Sequence, residues 1–222
     1  MNRRALLIGA TGLVGRELLT LLLADPGYPR ITALARRGLP DHDPRLTVQR
    51  VALDELDELD AASVGPADDA YCALGTTIRS AGTQAAFAAV DRDGVVAFAR
   101  LARRAGCTRL MLVSALGANP TSTVFYNRIK GEAEQAVASL GLDAVHIARP
   151  SFLLGPRAEL RPGELLGKHL AQLFAPLLLG ALRSYRPVQA ATVAATLVRA
   201  AHGAAQGVIV HRFHGVAPEA RR

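Results

Sequence analysis

The chain has 222 residues, half of them hydrophobic, which excludes a disordered chain and suffices for one domain with its own core. Its formal net charge is +7, and nearly all of the positive charge is arginine, with lysine only at Lys130 and Lys168. The arginines are scattered among acidic residues, no run of four basic residues occurs and Trp is absent, so the footprint of a nucleic-acid module is missing.

Taken in chain order, the apolar run Arg4 to Gly9 predicts a buried strand. Helical spacing follows from Gly12 to Ala24 and stops at Asp25-Pro26-Gly27. Ile31 to Ala35 and Leu46 to Ala52 predict two more strands, and Asp54 to Val64 a short surface helix. Asp69 to Leu74 is a fourth strand. Thr83 to Gly106 predicts a long amphipathic helix with a break near Asp91. Thr108 to Ser114, a helix from Ser122 to Gly141, and Ala144 to Ala148 complete the regular rhythm. Beyond Pro156 the pattern changes to helices over Glu164 to Leu179 and Ala190 to His202, then a last strand from Gly207 to Arg212. Strands alternating with helices predict an α/β fold of the Rossmann type, a doubly wound parallel sheet with a small C-terminal helical lid. Residues 1–222 are expected to form one domain, with 156–222 completing the substrate cleft.

The N-terminal residues imitate a leader peptide, but Gly9, Gly12, Gly15, Arg16 and Glu17 interrupt the apolar run. The later LLTLLLA stretch is too short to cross a bilayer. Cys72 and Cys107 sit in or beside predicted strands without metal-ligand spacing, as in a reducing compartment. The expectation is a cytoplasmic protein without integral membrane association, monomeric or homodimeric.

The segment GATGLVG spaces Gly9, Gly12 and Gly15 as G-x-x-G-x-x-G between a strand and a helix, which is the context a dinucleotide fingerprint requires. Gly9 permits the tight turn, Gly12 lets the backbone approach a pyrophosphate, and Gly15 lets the helix pack on the strand. NAD-binding folds usually carry an acidic residue at the end of the second strand, about 20 residues on. Here Arg36 and Arg37 follow that strand, and no acidic residue lies between Asp25 and Asp41. A guanidinium pairs with a 2′-phosphate that a carboxylate would repel, so NADP(H) is expected over NAD(H).

Tyr126 and Lys130 are four residues apart on a predicted helix and share a face. Ser114 ends the strand before it. Hydride transfer to a carbonyl needs a proton donor, and a phenol beside an ammonium can be that donor. A hydroxyl such as that of Ser114 can orient the carbonyl and share its charge.

GATGLVG, ALARR, CALGTT, LVSALGA, YNRIK and RPSFLLGP together resemble the atypical short-chain dehydrogenase/reductases. Within them, the chain is similar to the branch of bacterial relatives of the HIV Tat-interacting protein oxidoreductase, most continuously from Cys72 to Glu134. The resemblance implies a Rossmann fold that binds NADP(H), with Tyr126 as proton donor or acceptor. Lys130 would hold the nicotinamide ribose and lower the Tyr126 pKa, and Ser114, or a neighbouring hydroxyl, would polarise the carbonyl. Thr11, Leu13 and Val14 of the glycine turn, and Leu74, Gly75, Thr76 and Thr77, would line the cofactor. Pro150, Phe152 and Leu153 would flank the nicotinamide, and Leu53 and Asp54 would lie near the adenine.

His146 is expected to be a packing residue, and His169, His202, His211 and His214 show no metal spacing. Phe174, Leu177 and Leu178 are candidate walls of an apolar substrate pocket. Two functions compete: an NADP(H)-dependent oxidoreductase acting on a small carbonyl or alcohol, and an NADPH-binding regulator or sensor with little turnover. The Ser114, Tyr126 and Lys130 set favours the enzyme.

Overall fold

The run RALLI becomes strand β1 (Arg4–Ile8), whose last four residues are buried. In this computed structural model, which describes residues 2–39, 43–155 and 186–213, the chain continues through α1 (Leu13–Ala24), β2 (Arg30–Ala35), β3 (Leu46–Arg50), α2 (Ala61–Val64), β4 (Asp69–Cys72), α3 (Ile78–Ala81) and α4 (Gln84–Ala88). Then come α5 (Gly94–Arg104), β5 (Arg109–Val113), α6 (Phe125–Ala138), β6 (Ala144–Arg149), β7 (Leu153–Leu154), β8 (Val188–Gln189), α7 (Ala190–Ala201) and β9 (Gly207–Arg212). Seven strands form one sheet in the order β3-β2-β1-β4-β5-β6-β9. All its pairings are parallel. Such a sheet is buried on both faces, which is why its central strands read as unbroken apolar runs.

Two hydrophobic layers cover it. Phe98 and Leu101 of α5 and Ala133 and Val137 of α6 pack on one face against Leu6, Leu110, Leu112 and Ile147. Leu18 and Leu22 of α1 and Val193 and Leu197 of α7 pack on the other against Leu7, Tyr71 and Met111. The strand order reverses between β2 and β4, on either side of β1. In open parallel sheets that reversal opens a crevice at the carboxyl ends of the strands.

The fold agrees with the expected Rossmann-type sheet, and local boundaries shift for identifiable reasons. The segment Asp54 to Val64 is not one helix. A 3₁₀ turn at Leu53–Glu55 is followed by α2, which Asp60 caps by accepting the Ala62 N–H. The expected helix Thr83 to Gly106 is broken as anticipated near Asp91: α4 and α5 are joined by a π-helical turn, Ala89–Asp93. The helix expected from Ser122 starts only at Phe125. Before it, Asn119 Oδ1 accepts the Thr121 N–H and the Ser122 hydroxyl accepts the Val124 N–H, so turns hold that backbone. A second sheet, β7 beside β8, was not anticipated. The predicted helix Glu164 to Leu179, with Phe174, Leu177 and Leu178, lies outside the described residues, as do His169 and His214. Among the described residues no helix is long and apolar enough to cross a membrane, and no cluster of metal-ligating residues occurs.

The amino ends of the strands are tied by a buried polar network. Asp69, wholly buried at the start of β4, accepts hydrogen bonds from Arg3, from Tyr28 Oη at 2.7 Å and from Arg109 Nε at 3.1 Å. Tyr28 Oη also lies 2.9 Å from Tyr71 Oη. Arg3 Nη1 reaches the carbonyl of Ala201 at the end of α7, 2.6 Å away. His146 is buried as a packing residue, its Nδ1 3.1 Å from His211 Nε2, and burial holds both rings below the usual histidine range.

Asp69→Asn leaves the buried Arg3 guanidinium without its counter-charge. Denaturant unfolding at neutral pH should show a loss of about 3–5 kcal/mol, and a loss below 1 kcal/mol would mean that the network contributes little to stability.

Candidate functional site

The site is built first on backbone. Gly9 adopts φ +84°, a conformation that L side chains rarely take, and a Cβ there would stand 2.5 Å from the Ala73 carbonyl oxygen. The would-be Cβ of Gly15 would stand 1.9 Å from the Gly9 carbonyl oxygen. The bare Gly15 lets α1 press its first turn against the end of β1, and the bare Gly9 lets that turn lie against the backbone that follows β4. Gly12 is the N-cap residue of α1, and no side chain caps the helix. The first-turn N–H groups are therefore left to face an anion, with the positive end of the helix dipole behind them. A cradle whose walls would collide with any Cβ, above uncapped amides, fits a dinucleotide pyrophosphate.

A cleft of about 460 Å³ opens at this turn. Of the residues singled out from the sequence, Gly9, Thr11, Gly12, Arg36, Arg37, Leu53, Leu74, Gly75 and Thr76 line it. Val51, Ala81, Ala86 and Val90 add an apolar wall beside Leu53, and Ser80 adds a hydroxyl to the lining. Arg36 and Arg37 are exposed where β2 ends. The remaining candidates stand off the cleft wall. Val14 and Gly15 are on the buried face of α1, and Leu13 approaches Gly155. Thr77 caps α3 by accepting the Ser80 N–H. Leu153 belongs to β7, Pro150 accepts the Leu116 N–H, and the Phe152 side chain is 73 % exposed.

The catalytic candidates lie behind the Gly75 wall. A Cβ at Gly75 would come within 3.7 Å of Lys130 Nζ. Lys130 is buried, and its ammonium sits 2.8 Å from Asp91 Oδ1. Ser114, Lys130 and Asp91 line one small internal space, and the buried Ser114 hydroxyl has no hydrogen-bond partner among the described residues. The Tyr126 ring packs against Phe87, with ring centroids 5.5 Å apart.

The electrostatics correct one expectation. Burial pushes the Tyr126 phenol upward, Lys130 pulls it down, and Asp91 pushes it up again, so the net position is above the usual tyrosine range rather than lowered toward neutrality. Burial pulls the Lys130 ammonium down, but Asp91 and then Tyr126 outweigh it, and the lysine holds its proton beyond its usual range. Burial drives Cys72 and Cys107 up to about 12, so neither is a thiolate nucleophile at neutral pH.

Sequence reasoning did not find three structural partners of this site. Asp91 was noticed only as a break in a helix. Gly131 lets α6 touch the preceding loop, since a Cβ there would stand 2.2 Å from Pro120 N. Glu134, buried on α6, receives the Arg149 guanidinium of β6, with Nε 3.0 Å from Oε1. A glycine immediately after the lysine was the only available hint of that close approach.

A family model described as NAD(P)H-binding matches residues 9–203. The chain is 36% identical to protein HTATIP2 of Rattus norvegicus over 170 residues, covering 75% of this chain and 69% of that protein. It is 34% identical to the mitochondrial protein fmp52 of Emericella nidulans over 170 residues, covering 74% of this chain and 73% of that protein. Among solved structures, MoeE5 in complex with UDP-glucose and NAD aligns with a TM-score of 0.70 at 17% identity, over 95% of this chain and 76% of that one. A double mutant of DesIV, a dTDP-glucose 4,6-dehydratase from Streptomyces venezuelae, with NAD and DAU bound, aligns with a TM-score of 0.70 at 21% identity, over 96% of this chain and 76% of that one. These two structures share the fold.

Gly15→Ala forces α1 away from the turn. It should destabilise the protein by roughly 1–3 kcal/mol and abolish measurable NAD(P)H binding in a fluorescence titration of the folded variant. Retained affinity would mean that the turn does not hold the pyrophosphate.

Proposed function

The chain belongs to the NAD(P)H-binding family, and on that premise we propose that it is an NADP(H)-dependent oxidoreductase of the short-chain dehydrogenase/reductase type, acting on a small carbonyl or alcohol. The observation that carries this reading is the position of Lys130, whose buried ammonium stands directly behind Gly75, a wall residue of the dinucleotide cleft. A lysine there, one helical turn from Tyr126, joins a cofactor cleft to a proton donor.

Bound NADPH would supply the hydride. The Gly9–Gly15 turn would hold the pyrophosphate on backbone amides, and the apolar wall of Val51, Leu53 and Val90 would take the adenine. Arg36 and Arg37 would take the 2′-phosphate, because a guanidinium offers planar paired donors to phosphate oxygens. In reduction the Ser114 hydroxyl would donate to the substrate carbonyl oxygen and align it. Tyr126 would then give its phenolic proton to that oxygen as the alcohol forms, and would recover a proton from solvent. Lys130 would stabilise the transient phenolate. Because the Tyr126 phenol sits above its ordinary range, its acid form persists through neutral pH, which suits the reducing direction.

One observation favours the second reading, a cofactor-binding regulator with little turnover: Lys130 is already engaged by Asp91. Turnover separates the two readings.

Replacing Arg36 and Arg37 with Ala should weaken NADPH binding by about 10–100-fold and change NADH binding little, as read by parallel calorimetric titrations. Equal losses would remove the 2′-phosphate role. Tyr126→Phe should reduce turnover in a carbonyl-substrate screen by about 10²–10⁴-fold with NADPH affinity unchanged; turnover equal to that of the parent would take Tyr126 out of the mechanism. In the parent protein the reduction rate should stay flat through neutral pH and fall only in the alkaline limb, as the phenol ionises. A rate that already falls between pH 6 and 8 would contradict a raised Tyr126 pKa.

A further inference from the structure

Strand β3 ends at Arg50, directly beside the end of β2. In the parallel register Arg50 stands opposite Ala35, and the Val51 N–H donates to the Ala35 carbonyl at 3.1 Å. Ala35 precedes Arg36 and Arg37, and Val51 follows Arg50. Ala35, Arg36, Arg37 and Val51 all line the dinucleotide cleft. The Arg50 guanidinium is turned toward the loop that leaves β2. A Cβ at Gly38, the residue after Arg37, would lie 3.5 Å from Arg50 Nη2 and meet nothing else within 4 Å.

Arg36, Arg37 and Arg50 are exposed, and none of their guanidiniums has an ion-pair or hydrogen-bond partner among the described residues. Other arginines of the chain meet carboxylates. Arg4 meets Asp68, Arg45 meets Asp43, Arg92 meets Asp93 and Glu132, and Arg149 meets Glu134. The carboxylates around β3 do not serve the three. Asp43 holds Arg45, Glu55 accepts the Ala52 N–H, and Asp54 pairs with none of them. Like charges gathered at one corner repel, so three cations without an acid draw an anion from solution.

We propose that Arg50 is a third ligand of the 2′-phosphate and a determinant of the preference for NADPH over NADH. This inference rests on reading the cleft as the NADP(H) site. A phosphate monoester brings three terminal oxygens and about −1.5 to −2 charge at neutral pH. A guanidinium offers planar paired donors to two such oxygens. Arg36 and Arg37 reach the phosphate from one stretch of backbone. Arg50 approaches from a different strand and closes the tetrahedral group from a second side. NADH carries only a hydroxyl at that position, which has no charge for Arg50 to meet. Arg50 therefore contributes to the binding of one dinucleotide and not of the other. Its place on β3 hides it from any pattern read at the end of β2.

The probes are adenosine 2′,5′-bisphosphate and adenosine 5′-monophosphate, which differ only in the 2′-phosphate. Both are titrated calorimetrically at one fixed ionic strength, because exposed charges are screened by salt. Arg50→Gln changes an exposed side chain without partners, so the variant should fold as the parent does. It should weaken bisphosphate binding by about tenfold and monophosphate binding by less than about twofold. Arg50→Glu sets a carboxylate against the phosphate and should weaken bisphosphate binding further, by about 100-fold. Arg199→Gln removes the same charge from the last turn of α7, at the amino-end side of the sheet, and should leave both affinities unchanged. A bisphosphate loss in Arg50→Gln no larger than that in Arg199→Gln, or equal losses of both probes, overturns the proposal. Where that happens while replacing Arg36 and Arg37 with Ala still costs the bisphosphate its advantage, the NADP(H) reading stands without Arg50. A parent that binds both probes equally overturns the reading and the role of Arg50 together.

Discussion

The contact on which the site depends is between two pieces of backbone. Helix α1 can begin where it does only because nothing projects from Gly15 toward the Gly9 carbonyl, where a Cβ would stand 1.9 Å away. That contact sets the helix at the carboxyl end of β1, beside the point where the strand order reverses. The uncapped amides of its first turn then open into the 460 Å³ cleft. The rest of the cleft follows from this placement: β2 delivers Arg36 and Arg37 to one rim, and β4 delivers Ala73 to Thr76 to the other.

Two buried carboxylates mark opposite ends of the same sheet. Asp69 gathers Arg3, Arg109 and Tyr28 at the amino ends of the strands. Asp91 gathers Lys130 and the Thr76 N–H at the carboxyl ends. The physics is common to both, since a charge taken out of water must meet donors that replace its hydration. The surroundings differ. Around Asp69 the partners are tied into strand ends and α7. Around Asp91 the partners lie against a cleft and beside an unpartnered serine hydroxyl.

This arrangement also governs the phenol of Tyr126. An isolated ammonium in a low-dielectric pocket would pull a nearby phenol strongly down. With Asp91 at 2.8 Å from that ammonium, the pair is nearly neutral at a distance. Burial then dominates, and the Tyr126 phenol sits above its usual range. A lysine four residues along a helix is thus insufficient to fix the acidity of a tyrosine, because the counter-charge comes from another element.

The alternation of strands and helices, the glycine turn and its ligand class, and the arginines where other dinucleotide folds carry an acid are all readable along the chain. These are local properties. Apolar runs, a glycine period and a pair of charges act over a few residues, and the backbone geometry they demand is the same wherever the segment lies. Tyr126 and Lys130 were legible for the same reason, as neighbours on one helix face. What Lys130 meets emerged from the folded chain alone, because Asp91 is 39 positions earlier and faces inward through a π-helical turn that periodicity does not encode. Folding also decided that Thr77 caps α3, that Gly131 marks a helix pressed on a loop, and that Arg149 pairs with Glu134. Those outcomes depend on which surfaces fold against one another, and burial changes the energy of a charge far more than any neighbour in sequence does.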